Sequence, residues 1–486
     1  MQFKSKQFIK IFFVSLFAIT AYSINAQDGY KVTLKVKGKT DSSIIMGNYW
    51  ADRTVAFDTG YYNSKKKEWV FEGKEKAPRG VYFMIFKDMS HFEFVMNDQQ
   101  SFTILTDTLD YYTKNLIFEG SEENNRFAKY QQTTGNFGLK LYELNGKLTS
   151  AADEIEKKKI EQERYALNDE RTAYMENFLK ENPNDILCKI LNAMRPVEVP
   201  DMFKGDGKTI DTMAQYHYYK SHFWDNFDFK EEALIRSPQN FVFNKINTYF
   251  LSVIPQHPDS IIFFANKILN QTKGTKELDK YFIFRITQIY DTLQMMCMDK
   301  PFVYLVDNYY LKGRAFWADS ATLDRMKEAA DKRRYTVCGE VALDLNHYDM
   351  NNLPQSLYKH MGSKYTIIAF YDPTCGHCRT EMPILHKIYE DKKKDGWGVY
   401  AIASSSKKAE WEKYIKEENP TWNDWVNVCD IVPYQEWVDN RKAYNITANP
   451  TIMLLDSKGR IIARKIPAEN ILEFVDRYEK APEKFR

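Results

Sequence analysis

Two cysteines separated by two residues, Cys375-Gly376-His377-Cys378, follow a run of apolar residues and precede a segment with helical character. The run 365–371 (YTIIAFY) is almost continuously apolar, which is typical of a central strand covered on both faces. Cys375 then lies where a helix begins, and backbone N–H groups at a helix N-terminus stabilise negative charge. The pattern therefore predicts an α/β domain with a thiol of lowered pKa at the end of a buried strand.

The second cysteine is predicted to have a different role from the first. Cys378 lies one turn further into the helix, so it should be less exposed and able to attack a mixed disulfide formed at Cys375. Gly376 would permit a tight turn. His377 can carry positive charge near the thiolate, which would stabilise the reduced form and make the pair more oxidising.

Other uses of this motif are weaker predictions. A zinc site needs two more ligands, and the sequence has no second pair of cysteines with this spacing. Haem attachment needs a histidine after the second cysteine, where the chain has Arg379. A purely structural disulfide stays open as an alternative. His217 and His222 are five residues apart and would not share a helix face, so we predict no metal and no other cofactor.

Around the motif, the chain divides into segments of different pattern. A period-two alternation of apolar and polar residues predicts a small antiparallel β domain. Apolar spacings typical of packed helices predict an α-helical domain. Alternating strands and helices predict the α/β domain. The predicted boundaries are 1–26 for a signal peptide, 27–130 for the β domain, 131–335 for the helical domain and 336–486 for the α/β domain.

The first 26 residues have the pattern of a secretory signal. Lys4, Lys6 and Lys10 precede the apolar stretch 11–22, which is too short for a membrane span of about 20 residues. An uncleaved anchor is the alternative. We therefore predict an exported protein, in the periplasm of a bacterium with two membranes, that is not an integral membrane protein.

Charge and cysteine content exclude two classes of protein. The 68 basic and 66 acidic side chains among 486 residues give a net charge of +2, which argues against a nucleic-acid partner. Six cysteines are too few for a disulfide scaffold.

Cys188 and Cys297 are predicted to be buried thiols in helices, with a disulfide between them as the alternative. Cys429 is predicted to lie in the core, and Cys338 to be structural or a third redox thiol.

The segment 371–383 (YDPTCGHCRTEMP) resembles the active site of the thioredoxin superfamily, and most of all that of exported thiol–disulfide oxidoreductases of the TlpA/ResA type. Pro383 matches the proline that kinks the family's helix, and Asn449-Pro450 matches its cis-proline loop beside the disulfide. Glu381 matches a glutamate of the exported branch. The resemblance implies a thioredoxin fold for 336–486 and an acid or base role for Glu381, which could otherwise be a plain surface residue.

Two positions depart from cytoplasmic thioredoxin. Ala369 stands where that protein has a buried aspartate, and Thr374 where it has a tryptophan. The CGHC centre is like that of disulfide isomerases, which implies a potential nearer about −180 mV than about −270 mV. The two preceding domains look, more loosely, like N-terminal domains that Bacteroidetes proteins place before such a domain. We expect them to dock clients or partners.

The sequence therefore predicts an enzyme, a thiol–disulfide oxidoreductase in which Cys375 and Cys378 form the redox-active disulfide. Its partners would be exported proteins with disulfides and a membrane-linked electron donor, and it would act as a reductase. An isomerase or oxidant is one alternative. A partner-binding protein on a thioredoxin scaffold is another, although the intact CGHC motif and Asn449-Pro450 argue against it.

Overall fold

The computed structural model describes residues 29–109, 113–293, 295–404, 408–430 and 440–480. The predicted signal segment 1–26 lies outside the described residues. In the described residues, no helix is both long enough and apolar enough to cross a bilayer.

The first part of the described chain forms a sheet of eight strands. Their order across the sheet is β6-β5-β2-β3-β4-β1-β7-β8. The strands are β1 (Tyr30–Lys37), β2 (Ser43–Trp50), β3 (Arg53–Asn63), β4 (Glu68–Gly73), β5 (Gly80–Ile85), β6 (His91–Met96), β7 (Ser101–Asp107) and β8 (Ile117–Glu119).

The predicted antiparallel arrangement is wrong for one pair of these strands. β1 and β7 run parallel from Lys31, opposite Ser101, to Lys37, opposite Asp107, so the sheet is mixed. The reason is the connection: β4 occupies one edge of β1, and the chain returns to its other edge only after β5 and β6. The sequence pattern did not predict β2 or β3. In β3 the reason is that most residues are exposed and show no apolar alternation.

Helices follow the sheet. They are α1 (Glu122–Ser150), α2 (Glu154–Glu181), α3 (Ile186–Met194), α4 (Thr212–His222), α5 (Phe241–Thr248), α6 (Pro258–Thr272), α7 (Glu277–Thr292), α8 (Asp299–Leu305) and α9 (Ser320–Arg334). Their shared core includes Tyr281, Phe282 and Phe302, and it extends to Val81 and Val95 of the sheet. The sheet and the helices are therefore packed on each other. The helical segment begins at Glu122, within the predicted β domain, and the domain boundaries stay predictions.

The last part is the predicted α/β domain. Its strands are β9 (Asn346–Tyr348), β10 (Pro354–Ser356), β11 (Tyr365–Tyr371), β12 (Trp397–Ala403), β13 (Val426–Cys429), β14 (Thr451–Asp456) and β15 (Ile461–Arg464). Its helices are α10 (Gly376–Lys392), α11 (Lys408–Lys413), α12 (Asn440–Ala443) and α13 (Ile471–Lys480). The strand order is β10-β9-β13-β12-β11-β14-β15.

β11 lies at the centre of this sheet and all seven of its residues are buried. It runs parallel to β12 and antiparallel to β14. Ala369 and Tyr371 point into the core that contains Cys378, and Phe370 points into the core on the opposite face. The predicted multidomain fold class is confirmed. The sequence pattern also predicts a strand at 341–346. That prediction is wrong, since regular pairing begins only at Asn346 and Val341 makes an isolated bridge to Arg460.

A disulfide and an ion pair join the helical part to the last sheet. Cys297 is bonded to Cys338, with 5.2 Å between the Cα atoms. The predictions that Cys297 is a buried thiol or pairs with Cys188 are therefore wrong, as is the alternative that Cys338 is a free redox thiol. Beside the disulfide, the buried Arg464 of β15 contacts Asp299 at 2.5 Å. Cys188 is a fully buried free thiol.

Candidate active site

Cys375 lies immediately before the first residue of α10, in extended backbone conformation. Its side chain is partly exposed, and it is a free thiol in this structure. The pKa of Cys375 is lowered from its ordinary value, chiefly because the backbone N–H of Cys378 donates to its sulfur, with the His377 N–H also contributing. The helix start therefore favours the thiolate of Cys375, which is the nucleophilic form.

Cys378 has the opposite environment. It is a free thiol with no exposed surface, packed in the core with Tyr371 and Met382. The Asp372 N–H donates to its sulfur at 3.3 Å, but burial raises the pKa of Cys378 to about 12. One thiol of the pair is thus accessible and the other is protonated and shielded, and an incoming disulfide meets Cys375 first.

The loop between β11 and α10 is held by Asp372. Its Oδ1 accepts from the Thr374 N–H at 2.8 Å and from the Thr374 hydroxyl at 2.7 Å. Its carbonyl accepts from the Cys375 N–H at 3.1 Å. Aspartate bonding to backbone two residues ahead is a common way to build such a turn. We did not single out Asp372 from the sequence, although the Asp-Pro-Thr pattern after a strand carries this signal.

Arg379 fixes the same loop from the helix side. Its Nε donates to the Pro373 carbonyl at 2.9 Å, and its Nη1 contacts Glu418 at 2.6 Å. The guanidinium also lies over the Tyr414 ring, 5.0 Å from its centroid. Tyr414 and Glu418 begin and end a single π-helical turn. Sequence reasoning used Arg379 only to exclude haem attachment, because the partners of this side chain are distant in the chain.

The predicted cis-proline loop lies beside Cys375. The Asn449–Pro450 peptide bond is cis, and the Asn449 carbonyl accepts from the Cys375 thiol at 3.7 Å. Arg441 donates to the Asn449 side-chain oxygen at 3.4 Å. Residues that are 74 positions apart in the chain therefore meet at one site.

Three other residues were predicted to belong to the site: Glu381, His377 and Gly376. Glu381 is partly buried, and its Oε2 accepts from the Ala468 N–H at 2.7 Å, so this side chain ties α10 to the segment after β15. Its acid or base role stays a prediction. His377 is exposed. We predicted that Gly376 permits a tight turn, but the structure does not require a glycine there. The residue is helical, and a Cβ at this position would meet nothing within 4 Å.

One group of possible metal ligands occurs in the described part of the chain, away from the cysteine pair. His386, Glu390 and Asp424 place ligand atoms within 4.8 Å of one another. Lys393 contacts Glu390 at 2.6 Å and Asp424 at 2.9 Å. Because one ammonium group is shared by both carboxylates, ion pairing explains why they lie close together.

Comparison with known families supports this assignment of the fold. Residues 362–461 match the model of a thioredoxin-like family. The C-terminal domain belongs to the thioredoxin superfamily. Within that superfamily it is a thiol–disulfide oxidoreductase domain, similar to those of Bacteroidetes. Residues 152–338 match a family described as a domain of unknown function.

Individual relatives match the thioredoxin domain. The thiol–disulfide oxidoreductase ResA of Geobacillus kaustophilus is 27% identical over 123 residues, which are 25% of this chain and 66% of that protein. A domain of a possible thiol–disulfide isomerase from Cytophaga hutchinsonii is 33% identical, with 30% of this chain and 96% of that chain covered and a TM-score of 0.28. The thioredoxin domain of a thiol–disulfide oxidoreductase from Bacteroides vulgatus is 26% identical, with 29% and 97% covered and a TM-score of 0.26.

Proposed function

We propose that the chain is an exported thiol–disulfide oxidoreductase that reduces disulfides of exported proteins. The observation that carries the proposal is the asymmetry of the two thiols. The pKa of the partly exposed Cys375 is lowered by backbone N–H groups, whereas burial raises the pKa of Cys378 to about 12. An attacking thiol must be accessible and ionised, and a resolving thiol must wait until the mixed disulfide has formed.

The reaction proceeds by two thiol–disulfide exchanges. The Cys375 thiolate attacks one sulfur of the client disulfide. A bond forms between Cys375 and that sulfur, the client S–S bond breaks, and the second client sulfur leaves as a thiolate and takes up a proton. Cys378 then loses its proton and attacks Cys375, and the first client sulfur leaves in the same way. The client gains two electrons and two protons, and Cys375 and Cys378 become a disulfide.

A further exchange must return the enzyme to its dithiol form. We assign this step to a dithiol protein linked to the membrane, which would supply the two electrons. Two features favour a location in the periplasm. The segment 1–26 has the pattern of an export signal, and the Cys297–Cys338 disulfide is a type of bond that persists mainly in oxidising compartments.

Reduction of insulin by dithiothreitol tests the proposal. The wild-type chain should accelerate the precipitation of the insulin B chain, and Cys375→Ala should return the rate to that without enzyme. Cys429→Ala is a matched control, since it removes a buried thiol outside the predicted pair. Equal rates for wild type and Cys375→Ala would overturn the proposal.

The direction of electron flow needs a second measurement. Equilibration of the 375/378 pair with glutathione mixtures, followed by alkylation and mass spectrometry, gives its reduction potential. A value clearly below about −180 mV, toward the thioredoxin value of about −270 mV, is expected for a reductase, whereas a value near about −180 mV would favour the isomerase alternative. A value near about −120 mV, typical of a strong oxidant, would contradict the reductase role and leave the exchange chemistry intact.

A further inference from the structure

A cavity of about 620 Å³ lies between the N-terminal sheet and the helices, within the range of small-molecule sites. Its walls come from the turn between β2 and β3, from α7 and from α9. The six residues that matter for its chemistry are Trp50, Arg53, Lys280, Phe284, Trp317 and Arg325. The cavity therefore combines residues from the sheet with residues of the domain of unknown function.

The wall that the sheet contributes is held firmly against the helices. In the β2–β3 turn, the Ala51 N–H donates to the Ile235 carbonyl at 2.7 Å. The ring of Trp50 packs edge-on against Tyr281, with 5.2 Å between centroids. The Tyr281 hydroxyl donates to Asp52 at 3.3 Å. These contacts fix the β2–β3 turn, which is one wall of the cavity, against the helical part of the chain.

Part of the lining is aromatic and apolar. Trp50, Phe284 and Trp317 are each only partly buried, so part of each ring is left for the cavity. Met326 of α9 adds a flexible apolar side chain. Rings of this kind favour a flat apolar group, since stacking adds to the free energy gained by burying apolar surface.

Positive charge exceeds negative charge around this lining. Arg53, Lys280 and Arg325 line the cavity, and across the described ranges none of them forms an ion pair with a carboxylate. Arg325 donates to the Thr322 hydroxyl at 3.1 Å. Arg53 and Lys280 instead lie over the Trp50 ring, 5.3 and 5.9 Å from its centroid. The carboxylate of the lining, Asp291, contacts Arg333 at 2.7 Å.

We propose that this cavity binds a small organic anion with an aromatic or other flat apolar body. The body would stack on Phe284 and Trp317, and the acidic group would be held by Arg53, Lys280 and Arg325, two of which lie over the Trp50 ring. This binding site is separate from the cysteine pair, and the proposal does not rest on the redox activity.

Isothermal titration of the full chain with naphthalene-2-sulfonate tests the proposal, with naphthalene-2-sulfonamide as a neutral ligand of nearly the same shape. We expect one saturable site for the sulfonate. The sulfonamide should bind roughly tenfold more weakly or worse, which corresponds to about 1.4 kcal/mol. No saturable binding of the sulfonate up to about 1 mM, or equal affinities for the two ligands, would overturn the proposal. This comparison uses the unaltered protein and does not depend on the folding of a variant.

A pair of double variants locates the site. Lys280→Ala with Arg325→Ala should weaken sulfonate binding roughly tenfold, because it removes two of the three unpaired cations. Lys327→Ala with Lys332→Ala removes the same charge from α9 outside this cavity and should leave the affinity within about twofold. If the control pair weakens binding as much as the cavity pair, a general effect of net charge explains the binding and the proposal is wrong.

Discussion

Two pairs of cysteines lie in the same part of the molecule and differ in nearly every physical respect. Cys375 and Cys378 are free thiols at a helix start, one of them partly exposed and the other fully buried. Cys297 and Cys338 are 41 residues apart and form a disulfide, with Cys338 only 4% exposed. The first pair is arranged for exchange with another disulfide, whereas the second joins two parts of the chain.

The difference shows that environment decides what a cysteine does. Helical N–H groups and access to solvent make Cys375 a candidate nucleophile. Cys338 packs in a core with Tyr400 and Met453, so an incoming disulfide has little access to its sulfur. The same sheet therefore carries a reactive pair at one end of β11 and a structural disulfide beside β15.

The largest expected effect concerns alkylation of the two thiols of the active site. A pKa below the ordinary 9.0 for Cys375 and one of about 12 for Cys378 give thiolate fractions at pH 7 that differ by at least about a thousandfold. Because the thiolate is the nucleophile, the rate at Cys375 should rise with pH and level off at a lower pH than for an ordinary cysteine. The rate at Cys378 should still be rising there.

Pulsed labelling of the reduced protein with iodoacetamide, followed by mass spectrometry of the two cysteines, measures both rates. Cys188 is the matched control, since it is also fully buried and burial raises its pKa to about 12. It should react as slowly as Cys378. Comparable rates at Cys375 and Cys378 would remove the distinction between the attacking and the resolving thiol.

The second prediction tests the structural pair. Replacing Cys297 and Cys338 by serine should lower the free energy of unfolding by about 3–4 kcal/mol, the loop-entropy estimate for a closed loop of this size. Urea unfolding in a Cys375→Ser, Cys378→Ser background measures it, so that only the structural disulfide responds to dithiothreitol. With dithiothreitol, the background protein should become as unstable as the variant that lacks all four cysteines.

The same change should leave the redox activity nearly intact. With Cys375 and Cys378 present, the variant without Cys297 and Cys338 should reduce insulin within about twofold of the wild-type rate at a temperature where it is folded, since the nucleophile is unchanged. A large loss of activity in the folded variant would mean that the two pairs exchange electrons and that the division into reactive and structural pairs is wrong.

The placement of Cys375 and Cys378 at a helix start after a buried strand could be predicted from the sequence because its signals are local. The apolar run 365–371 coincides with β11, and the run 397–403 coincides with β12. Two cysteines at a helix start need no distant partner to be recognised. A strand buried on both faces leaves a continuous apolar pattern, so the centre of the sheet was predicted better than its edge at 341–346.

The structural pair could not be predicted, because its partners are brought together only by the tertiary fold. Cys297 is near no motif, and its pairing with Cys338 depends on how the helices pack on β15. Arg379 and Glu418 are 39 positions apart in the chain, and their contact likewise depends on the tertiary fold. The parallel pairing of β1 with β7 likewise depends on the path of the chain, which an alternating pattern does not record.

The smallest expected effect separates two roles for Glu381, next to the reactive pair. Its carboxylate accepts from the Ala468 N–H, and Glu381→Ala should cost about 1 kcal/mol of stability through loss of this hydrogen bond. Glu381→Gln keeps an acceptor oxygen and should restore most of that stability. If the carboxylate also removes the proton from Cys378, Glu381→Gln should slow resolution of the mixed disulfide, because an amide cannot act as a general base.

Stopped-flow mixing with a small aromatic disulfide follows both exchanges, because the two thiols are released one after the other. In Glu381→Gln, a slower second release with an unchanged first release would assign the proton transfer to Glu381. Two unchanged rates, together with the lower stability of Glu381→Ala, would show that the side chain only anchors α10. The buried thiol would then need another base, and the contrast between the two cysteine pairs would rest on Cys375 alone.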